Sequence, residues 1–357
     1  MNTKTITPED RLRWIKSTAS AAIRFEAAQS LLPYERAPKP GDSVLVRVTR
    51  LGHMRVVENL RGCERPNYCP RELILGSLLW AVFGSRCGIR LGKVNVPDFA
   101  ASTVHLHAQG GLVGIMEHHV VENRPPTEVE VLGYLGDAQQ RPLNTRLFAP
   151  DFSDSPQDPG NRRFIVVVGS DTDAGKTQAC RAIITSLFKA GREVVAAKAT
   201  GVAFAQDVAQ FYPQAHYVTD FVNHGVESTI GLGAEPAVRL FHRVRNDLIA
   251  NSGDDAVCVI ELADGIINPE TRAILADPTV RDSTSRVVFA SAGVMAAMTG
   301  ASILRELGYA RPIFSGRLFN SGVGREQAVE HISPDVLFFN SGIEPDADLI
   351  RMFELDP

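Results

Sequence analysis

The spacing of apolar residues changes along the chain, from a helical spacing near the amino end to an alternating one from residue 41. Near the amino end, Thr7 suits a helix N-cap and Pro8 suits the first helical position. The apolar positions that follow have helical spacing and fade before Pro33: Leu12, Ile15, Ala19, Ala22 and Ile23. The pattern therefore predicts a helix and a linker over residues 1–40.

From residue 41 the period changes to two, because apolar side chains recur at alternate positions: Val44, Val46 and Val48. Short apolar runs broken by Gly and Pro continue to residue 150, as in "STVHLHAQGGLVGIMEHHVV" and "TEVEVLGYLG". This text predicts a small β-rich domain over residues 41–150, either a barrel or a sandwich. The run "LILGSLLWAVF" fits a strand or a buried helix, and periodicity does not decide between them.

Residues 149–163, "APDFSDSPQDPGNRR", contain three prolines and almost no apolar residue, so an exposed linker is predicted there. Beyond it, apolar runs alternate with helical stretches. The predicted strands are "FIVVV", "EVVAAK", "AVCVIEL", "SRVVFA", "RPIFSG" and "DVLFF". Nearly continuous apolar strands belong to a parallel sheet covered by helices. Residues 161–357 are therefore predicted to form an α/β domain with a mostly parallel sheet.

The stretch "FIVVVGSDTDAGKTQACRAIITSLFKAG" places a Gly-containing turn between a strand and a helix. Backbone N–H groups at such a turn bind phosphate, while the lysine supplies charge and the threonine hydroxyl reaches Mg²⁺. Five residues separate Gly169 from the Gly-Lys-Thr, one more than in the common pattern. The predicted nucleotide-binding residues are Gly169, Ser170, Asp171, Thr172, Asp173, Ala174, Gly175, Lys176, Thr177 and Gln178.

The motif "GSDTDAGKTQA" resembles the phosphate loop of the dethiobiotin synthetase-like family, which has the same five-residue gap. That group includes amidoligases of cobalamin synthesis and the adapter protein of molybdopterin-guanine dinucleotide synthesis. The resemblance covers about residues 163–320 and leaves the β-rich domain without a counterpart. It implies a P-loop NTPase fold with ATP and Mg²⁺ as cofactors. It also places Asp173 near the nucleotide, while Thr177 and Asp171 are candidate metal ligands.

Two further elements are similar to those of the family. "EVVAAKATG" resembles its Lys-Pro-x-x-Ser-Gly element, although the proline is missing and the element is one residue shorter. This implies that Lys198 reaches phosphate and substrate, with Thr200 beside it. "AVCVIELADG" resembles Glu-Gly-Ala-Gly-Gly and places Glu261 at the metal-binding position, but Asp264 departs from the glycine pattern. An acidic residue at the carboxyl end of a buried strand is also where such a sheet holds Mg²⁺.

The polar stretch "DFVNHGVESTIGLG" follows another expected strand and therefore belongs near the carboxyl edge of the sheet, where substrates bind. Its candidate substrate contacts are Asp220, Ser228 and Thr229, to which Thr200 and Asp264 are added. Lys176, Lys198 and Glu261 are the candidate catalytic residues.

These residues predict a Mg-ATP-dependent enzyme that transfers a phosphoryl group to a small carboxylate-type substrate. The alternative is a nucleotide-dependent switch or adapter whose β-rich domain binds a protein or a nucleic acid. The sequence leaves three points open: whether GTP replaces ATP, which substrate is used, and whether the chain forms a homodimer.

Composition changes this picture little. The contents of hydrophobic residues, 44%, and charged residues, 22%, are those of a globular protein. No apolar run reaches the roughly 20 residues of a membrane span, and no secretory signal is recognised, so a cytoplasmic protein is expected. Residues 1–150 carry a net charge of +5 and residues 151–357 one of −9. An excess of this size does not establish a nucleic-acid partner.

The cysteines and histidines of the first half show no common zinc spacing. The residues concerned are Cys63, Cys69, Cys87, His105, His107, His118 and His119. Hydrogen-bonded or solvated histidines are the expectation there, with metal binding as the alternative. Five sparse cysteines in the whole chain are expected to be reduced.

Overall fold

A computed structural model describes residues 3–60, 69–88, 92–119, 125–333, 335–342 and 347–353. The strands are β1 (Lys4–Thr5), β2 (Trp14–Lys16), β3 (Ser30–Leu32), β4 (Ser43–Arg50), β5 (Val56–Glu58), β6 (Pro70–Glu72), β7 (Leu78–Phe83), β8 (Arg86–Gly88), β9 (Gly92–Asn95), β10 (Thr103–Leu106), β11 (Leu112–His118), β12 (Thr127–Gly136), β13 (Arg163–Gly169), β14 (Val194–Lys198), β15 (Tyr217–Asp220), β16 (Val257–Glu261), β17 (Thr284–Ala290) and β18 (Ile313–Ser315). The helices are α1 (Pro8–Leu12), α2 (Lys176–Lys189), α3 (Ala205–Ala209), α4 (Ala234–Ala250), α5 (Pro269–Ala276), α6 (Pro278–Ser283), α7 (Val294–Glu306), α8 (Gly322–His331) and α9 (Ala347–Phe353). Short 3₁₀ turns occur at Thr18–Ser20, Phe25–Ala27, Thr145–Phe148 and Arg317–Asn320.

The chain folds into two compact units. The first, the barrel unit, comprises Met1–Asp151, Val202–Ala209 and Phe221–Gly231. The second, the parallel-sheet unit, comprises Phe152–Gly201, Gln210–Asp220 and Leu232–Pro357.

Five strands of the barrel unit close into a ring. The path β12–β4–β7–β11 is completed by β10, which pairs with both β11 and β12. The pairing of β11 with β7 is parallel, and the other four pairings of the ring are antiparallel. Closure pairs every strand of the ring on both sides. Of the two predicted architectures, the β-rich segment therefore adopts the barrel, and "LILGSLLWAVF" contains a strand, β7.

Both faces are buried along most of β7 and along the first half of β4, and both stretches are nearly continuously apolar. One face packs into a core that includes Val44, Val46, Leu79 and Phe83. The opposite face packs into a second core that includes Leu45, Trp80, Trp14 and Ile23. The amino-terminal segment thus supplies side chains that cover the outside of the barrel strands.

The predicted amino-terminal helix is much shorter than its apolar period indicated. Thr7 and Asp10 form a capping box as expected, but α1 ends at Leu12. Residues Trp14–Lys16 then form β2, which pairs in parallel with β7. The prediction of a helix beyond Leu12 is therefore wrong, because pairing with an existing sheet outweighs a weak helical period.

The parallel-sheet unit contains a six-stranded sheet in the order β15-β14-β16-β13-β17-β18, with every neighbouring pair parallel. Helix α2 packs on β13 and β16, α4 on β14 and β15, and α7 on β17. This confirms the prediction of an α/β region with a largely parallel sheet. The predicted strand "DVLFF" contributes only an isolated bridge between Phe338 and Phe314.

The Pro-rich segment 149–163 is largely exposed, as its composition indicated, but part of it is tied to α4. The side-chain amide of Asn246 donates to the carbonyl oxygens of Ser153 and Ser155, both at 2.8 Å. Arg245 donates to the carbonyl of Gln157 at 2.9 Å. These bonds satisfy backbone groups that the apolar-poor sequence cannot bury.

The cysteines differ in part from expectation. Cys87, Cys180 and Cys258 are outside any disulfide, but Cys69 is disulfide-bonded, so the expectation that all five are reduced is wrong. Cys63 lies outside the described residues. Within the described ranges, no three His, Cys, Asp or Glu side chains are grouped as metal ligands. A search of the same ranges finds no helix with the length and apolarity of a membrane span.

Lys16 of the barrel unit is a buried lysine. Its ammonium donates to the carbonyl of Ser20 at 3.1 Å and lies 5.5 Å from the centroid of the Trp80 ring. Burial lowers the pKa of Lys16 from 10.5 to about 8, with a smaller opposing effect of Glu26. The folded state therefore binds this proton less tightly than the unfolded state does.

We expect the free energy of unfolding to rise with pH between about 8 and 10.5, where the unfolded lysine stays charged and the folded one loses its proton. The full effect of Lys16 is about 3 kcal/mol. Urea unfolding at several pH values compares the natural chain with Lys16→Met, which retains the apolar stem. The difference between the two curves should narrow as the pH rises from about 8 to 10.5. A difference that does not change with pH would contradict the assigned pKa.

Candidate functional site

The phosphate loop leaves the sheet at its centre. Strand β13 lies between β16 and β17, and its residues from Phe164 to Val168 are almost fully buried. The loop follows Gly169, and α2 begins at Lys176. A loop between the carboxyl end of a central parallel strand and a helix is where open α/β sheets bind phosphate. The arrangement of strand, loop and helix is the one that the phosphate-loop motif predicts.

The backbone of the loop bends through two left-handed residues. Asp173 has φ 65° and Gly175 has φ 101°. Gly175 is the N-cap of α2 and has no side chain to occupy the first N–H groups of the helix. These donors and the positive end of the helix dipole are thus available to an anion.

Two glycines from other loops press against the phosphate loop. A Cβ atom at Gly265 would lie 2.5 Å from the carbonyl oxygen of Ser170, and one at Gly316 would lie 2.4 Å from that of Ala174. The amide of Arg317 also donates to the Ala174 carbonyl at 3.3 Å. The loop is therefore held between the segments that follow β16 and β18. The contact of Gly316 was not predicted from the sequence, where the only signal for it is the "SGR" that follows an apolar strand.

Lys176 is directed into the loop. Its ammonium donates to the carbonyl oxygen of Asp171 at 2.6 Å, and the residue is only 6% exposed. The carboxylate-bearing residue Asp171 is itself exposed, as are Thr172, Asp173 and Gln178. The structure thus gives the Asp171 carbonyl a defined role in orienting the lysine.

Thr177 connects the loop to the neighbouring strand. Its hydroxyl donates to Oε1 of Glu261 at 3.1 Å, although the two residues are 84 positions apart. Glu261 ends β16 and is 2% exposed. Mg²⁺ in nucleotide sites takes one or two protein oxygens and completes its shell with water and phosphate. The hydroxyl and the carboxylate fit such an ion.

A buried row of charge runs across the carboxyl ends of three strands. Lys198 of β14 pairs in register with Glu261 of β16 on one side and with Asp220 of β15 on the other. Neighbouring strands lie about 4.8 Å apart, and residues in register project to the same face. The three side chains are buried, so the lysine and the two carboxylates offset one another's charge.

Gly201 keeps Lys198 in place. Its backbone has φ 131°, and a Cβ atom there would lie 3.0 Å from Cε of the lysine. Next to it, the Thr200 hydroxyl donates to the Ala263 carbonyl at 3.3 Å. Asp264 follows with φ 67°, a left-handed conformation that non-glycine residues rarely adopt. Thr200, Lys198 and Asp264 therefore belong to the same edge of the sheet as the phosphate loop.

Two candidate substrate contacts belong to the other unit. Ser228 and Thr229 are part of the barrel unit. The hydroxyl of Ser228 donates to the Ser85 carbonyl at 2.7 Å, and both Ser228 and Thr229 are almost fully buried. Ser228 is therefore engaged in the internal bonding of that unit.

No family model matches, and no curated protein matches. Among solved structures, FtsY of Thermotoga maritima is 19% identical, with 53% of this chain and 65% of that chain covered and a TM-score of 0.36. The signal recognition particle receptor FtsY of Elizabethkingia anophelis is 19% identical, with 57% and 65% covered and a TM-score of 0.38.

A third similar structure is the 54 kDa signal recognition particle protein of Aeropyrum pernix in complex with GDP. It is 15% identical, with 57% of this chain and 48% of that chain covered and a TM-score of 0.36. The matched region spans less than two thirds of each of the three proteins. These structures are not dethiobiotin synthetases, and the family-level resemblance is not shown by them.

Gly316→Ala would place a methyl group against the Ala174 carbonyl, and the residue's φ of 95° adds strain. We expect the affinity for Mg-nucleotide to fall at least tenfold, about 1.4 kcal/mol. Calorimetric titration with Mg-ATP and with Mg-GTP measures it.

The matched control is Gly322→Ala, because a Cβ atom at Gly322 meets nothing within 4 Å. This variant should bind nucleotide as the natural chain does. If Gly316→Ala binds equally well, the loop does not depend on the contact, and Gly316 has no part in the site.

Proposed function

We propose that the chain is a nucleotide-dependent switch that binds and hydrolyses a Mg-nucleoside triphosphate. The observation that supports nucleotide binding best is the bond between Thr177 and Glu261 at the end of a loop that encloses Lys176. This bond places two oxygen atoms that suit Mg²⁺ next to backbone N–H groups that suit phosphate.

Each residue of the site has a distinct task in this proposal. The free N–H groups at the start of α2 hold the phosphates, and Lys176 supplies a positive charge to the terminal ones. Thr177 and Glu261 would hold Mg²⁺, which neutralises phosphate charge. Lys198 lies next to Glu261 in the buried row and is positioned to stabilise negative charge that develops during phosphoryl transfer. Asp171 is the further candidate for the metal.

The course of the chain favours a switch. Strand β14 ends at Lys198, and the segment Val202–Ala209 that follows is part of the barrel unit. Strand β15 ends at Asp220, and Phe221–Gly231 follows as a second segment of that unit. A shift of either strand end on nucleotide binding is therefore passed along the main chain into the barrel unit.

Both segments are firmly bonded inside the barrel unit. The carboxylate of Glu58 accepts hydrogen bonds from the amides of Ala205 and Gln206, at 2.8 and 3.0 Å. Arg146 donates twice to the buried carboxylate of Glu227, with distances of 3.3 and 3.0 Å. Charged hydrogen bonds of this kind transmit a displacement better than a loose loop does.

A second function is favoured by the buried lysine. Lys198 beside Glu261 also suits an enzyme that transfers the terminal phosphoryl group of ATP to a small carboxylate, as the resemblance to the dethiobiotin synthetase-like family implies. Thr200 and Asp264 would then contact the substrate. In this case small carboxylic acids raise the steady-state release of nucleoside diphosphate, whereas hydrolysis by a switch does not respond to them.

Glu261→Gln tests the metal assignment. The substitution keeps the size of the side chain but removes its charge from the metal shell. Nucleotide affinity should change less than about threefold, while the hydrolysis rate should fall at least tenfold. Release of phosphate at limiting Mg²⁺ measures the effect. Glu193→Gln is the control, because Glu193 precedes β14 at the opposite edge of the sheet. Equal rates for both variants would remove Glu261 from the proposed site.

Hydrogen exchange tests the switch. Addition of Mg-nucleotide should slow amide exchange at least severalfold in 202–209 and 221–231 as well as in the phosphate loop. Lys176→Ala should abolish all three effects, because it removes the main charge of the loop. Protection confined to the loop would contradict the switch while leaving nucleotide binding intact.

A further inference from the structure

A cavity of about 430 Å³ opens in the parallel-sheet unit, at the edge opposite the phosphate loop. It lies at the amino end of β17 and beside the segment that precedes β18. Three arginines line it, namely Arg281, Arg286 and Arg311. Such a volume falls within the range of small-molecule sites.

The positive charge of this cavity is largely uncompensated. Among the described residues its lining contains no carboxylate, and Arg281 pairs outside it with the exposed side chain of Asp282 at 3.0 Å. Across the part of the chain that the structure describes, neither Arg286 nor Arg311 forms an ion pair. The pKa of Arg286 is lowered, first by burial and then by the nearby charge of Arg163. An anion would relieve this repulsion.

The wall of the cavity is firmly built. Gly308 has φ 94°, and a Cβ atom there would lie 2.9 Å from Cδ of Arg281, so the backbone packs on the arginine stem. The hydroxyl of the neighbouring Tyr309, which is buried, donates to the Leu275 carbonyl at 3.1 Å. The loop that carries Arg311 is thereby fixed against the arginine of α6.

We propose that this cavity binds a small phosphorylated molecule. A phosphate monoester carries close to two negative charges and three acceptor oxygens, which match the planar donor groups of Arg286 and Arg311. Val287, Pro312 and Leu337 form an apolar part of the lining that suits the carbon skeleton of the ligand.

This site is separate from the phosphate loop. Strand β17 extends from Thr284, which lines the cavity, to Ala290, whose carbonyl accepts the amide of Ser170 in the loop. Its seven residues span about 20 Å. A single small phosphorylated molecule therefore does not reach both places.

Calorimetric titration with phenyl phosphate tests the proposal in the Lys176→Ala chain, in which the phosphate loop lacks its lysine. We expect phenyl phosphate to bind at one site. The additional substitution Arg311→Glu should weaken this binding at least tenfold. Arg311 is exposed, so its replacement does not disturb the core. Arg286→Gln should weaken binding in the same direction. Arg192→Gln is the control, since this exposed arginine follows α2 and does not line the cavity.

Absence of phenyl phosphate binding at millimolar concentration would overturn the proposal. So would an affinity that Arg311→Glu and Arg286→Gln leave unchanged in variants whose thermal unfolding matches that of the parent. Malonate distinguishes the ligand class: if it binds as tightly as phenyl phosphate, a phosphate monoester is not the preferred ligand. Weaker binding of malonate and of inorganic phosphate supports a phosphorylated molecule with an apolar part.

Discussion

The register of the parallel sheet is the constraint on which the candidate site depends. Lys198 can face both Glu261 and Asp220 only because β14 pairs in register with the strands on its two sides. A shift of one residue in either pairing would turn one carboxylate to the opposite face of the sheet. The same sheet places β13 beside β16, so that Thr177, one residue into α2, reaches Glu261. The candidate site and the fold are thus specified by the same backbone hydrogen bonds.

The loop itself depends on close approach rather than on side-chain contacts. Gly265 and Gly316 bring two backbones against its carbonyl groups at distances that no Cβ atom allows. A rigid loop presents its N–H groups to phosphate without a large loss of conformational entropy on binding. Within the Gly169–Gly175 gap, Asp173 adopts a left-handed conformation with φ 65°.

Much of this could be predicted from the sequence, because strand, loop and helix are local patterns. The loop residues, Lys198 and Glu261 stand at strand ends that short apolar runs reveal. The pairing of Lys198 with Asp220 could not be derived, because strand order is not encoded locally. The amino-terminal error has a related origin: Trp14–Lys16 is held by pairing with β7, more than sixty residues away. Because strand pairing in the β-rich segment is also non-local, the sequence did not decide between a barrel and a sandwich.

The net charge of each half of the chain does not predict where positive side chains cluster. The second half carries −9, yet it contains both the phosphate loop and the arginine-lined cavity. At the loop, acidic residues are offset by Lys176, by Lys198 of the buried row and by the helix dipole. At the opposite edge, arginines from β17, α6 and the loop before β18 come together, and the described residues of that lining include no acidic side chain. Because screening removes most of the field beyond about 10 Å, each edge of the sheet responds to its own neighbours. An acidic half can therefore present positive charge at both edges of its sheet.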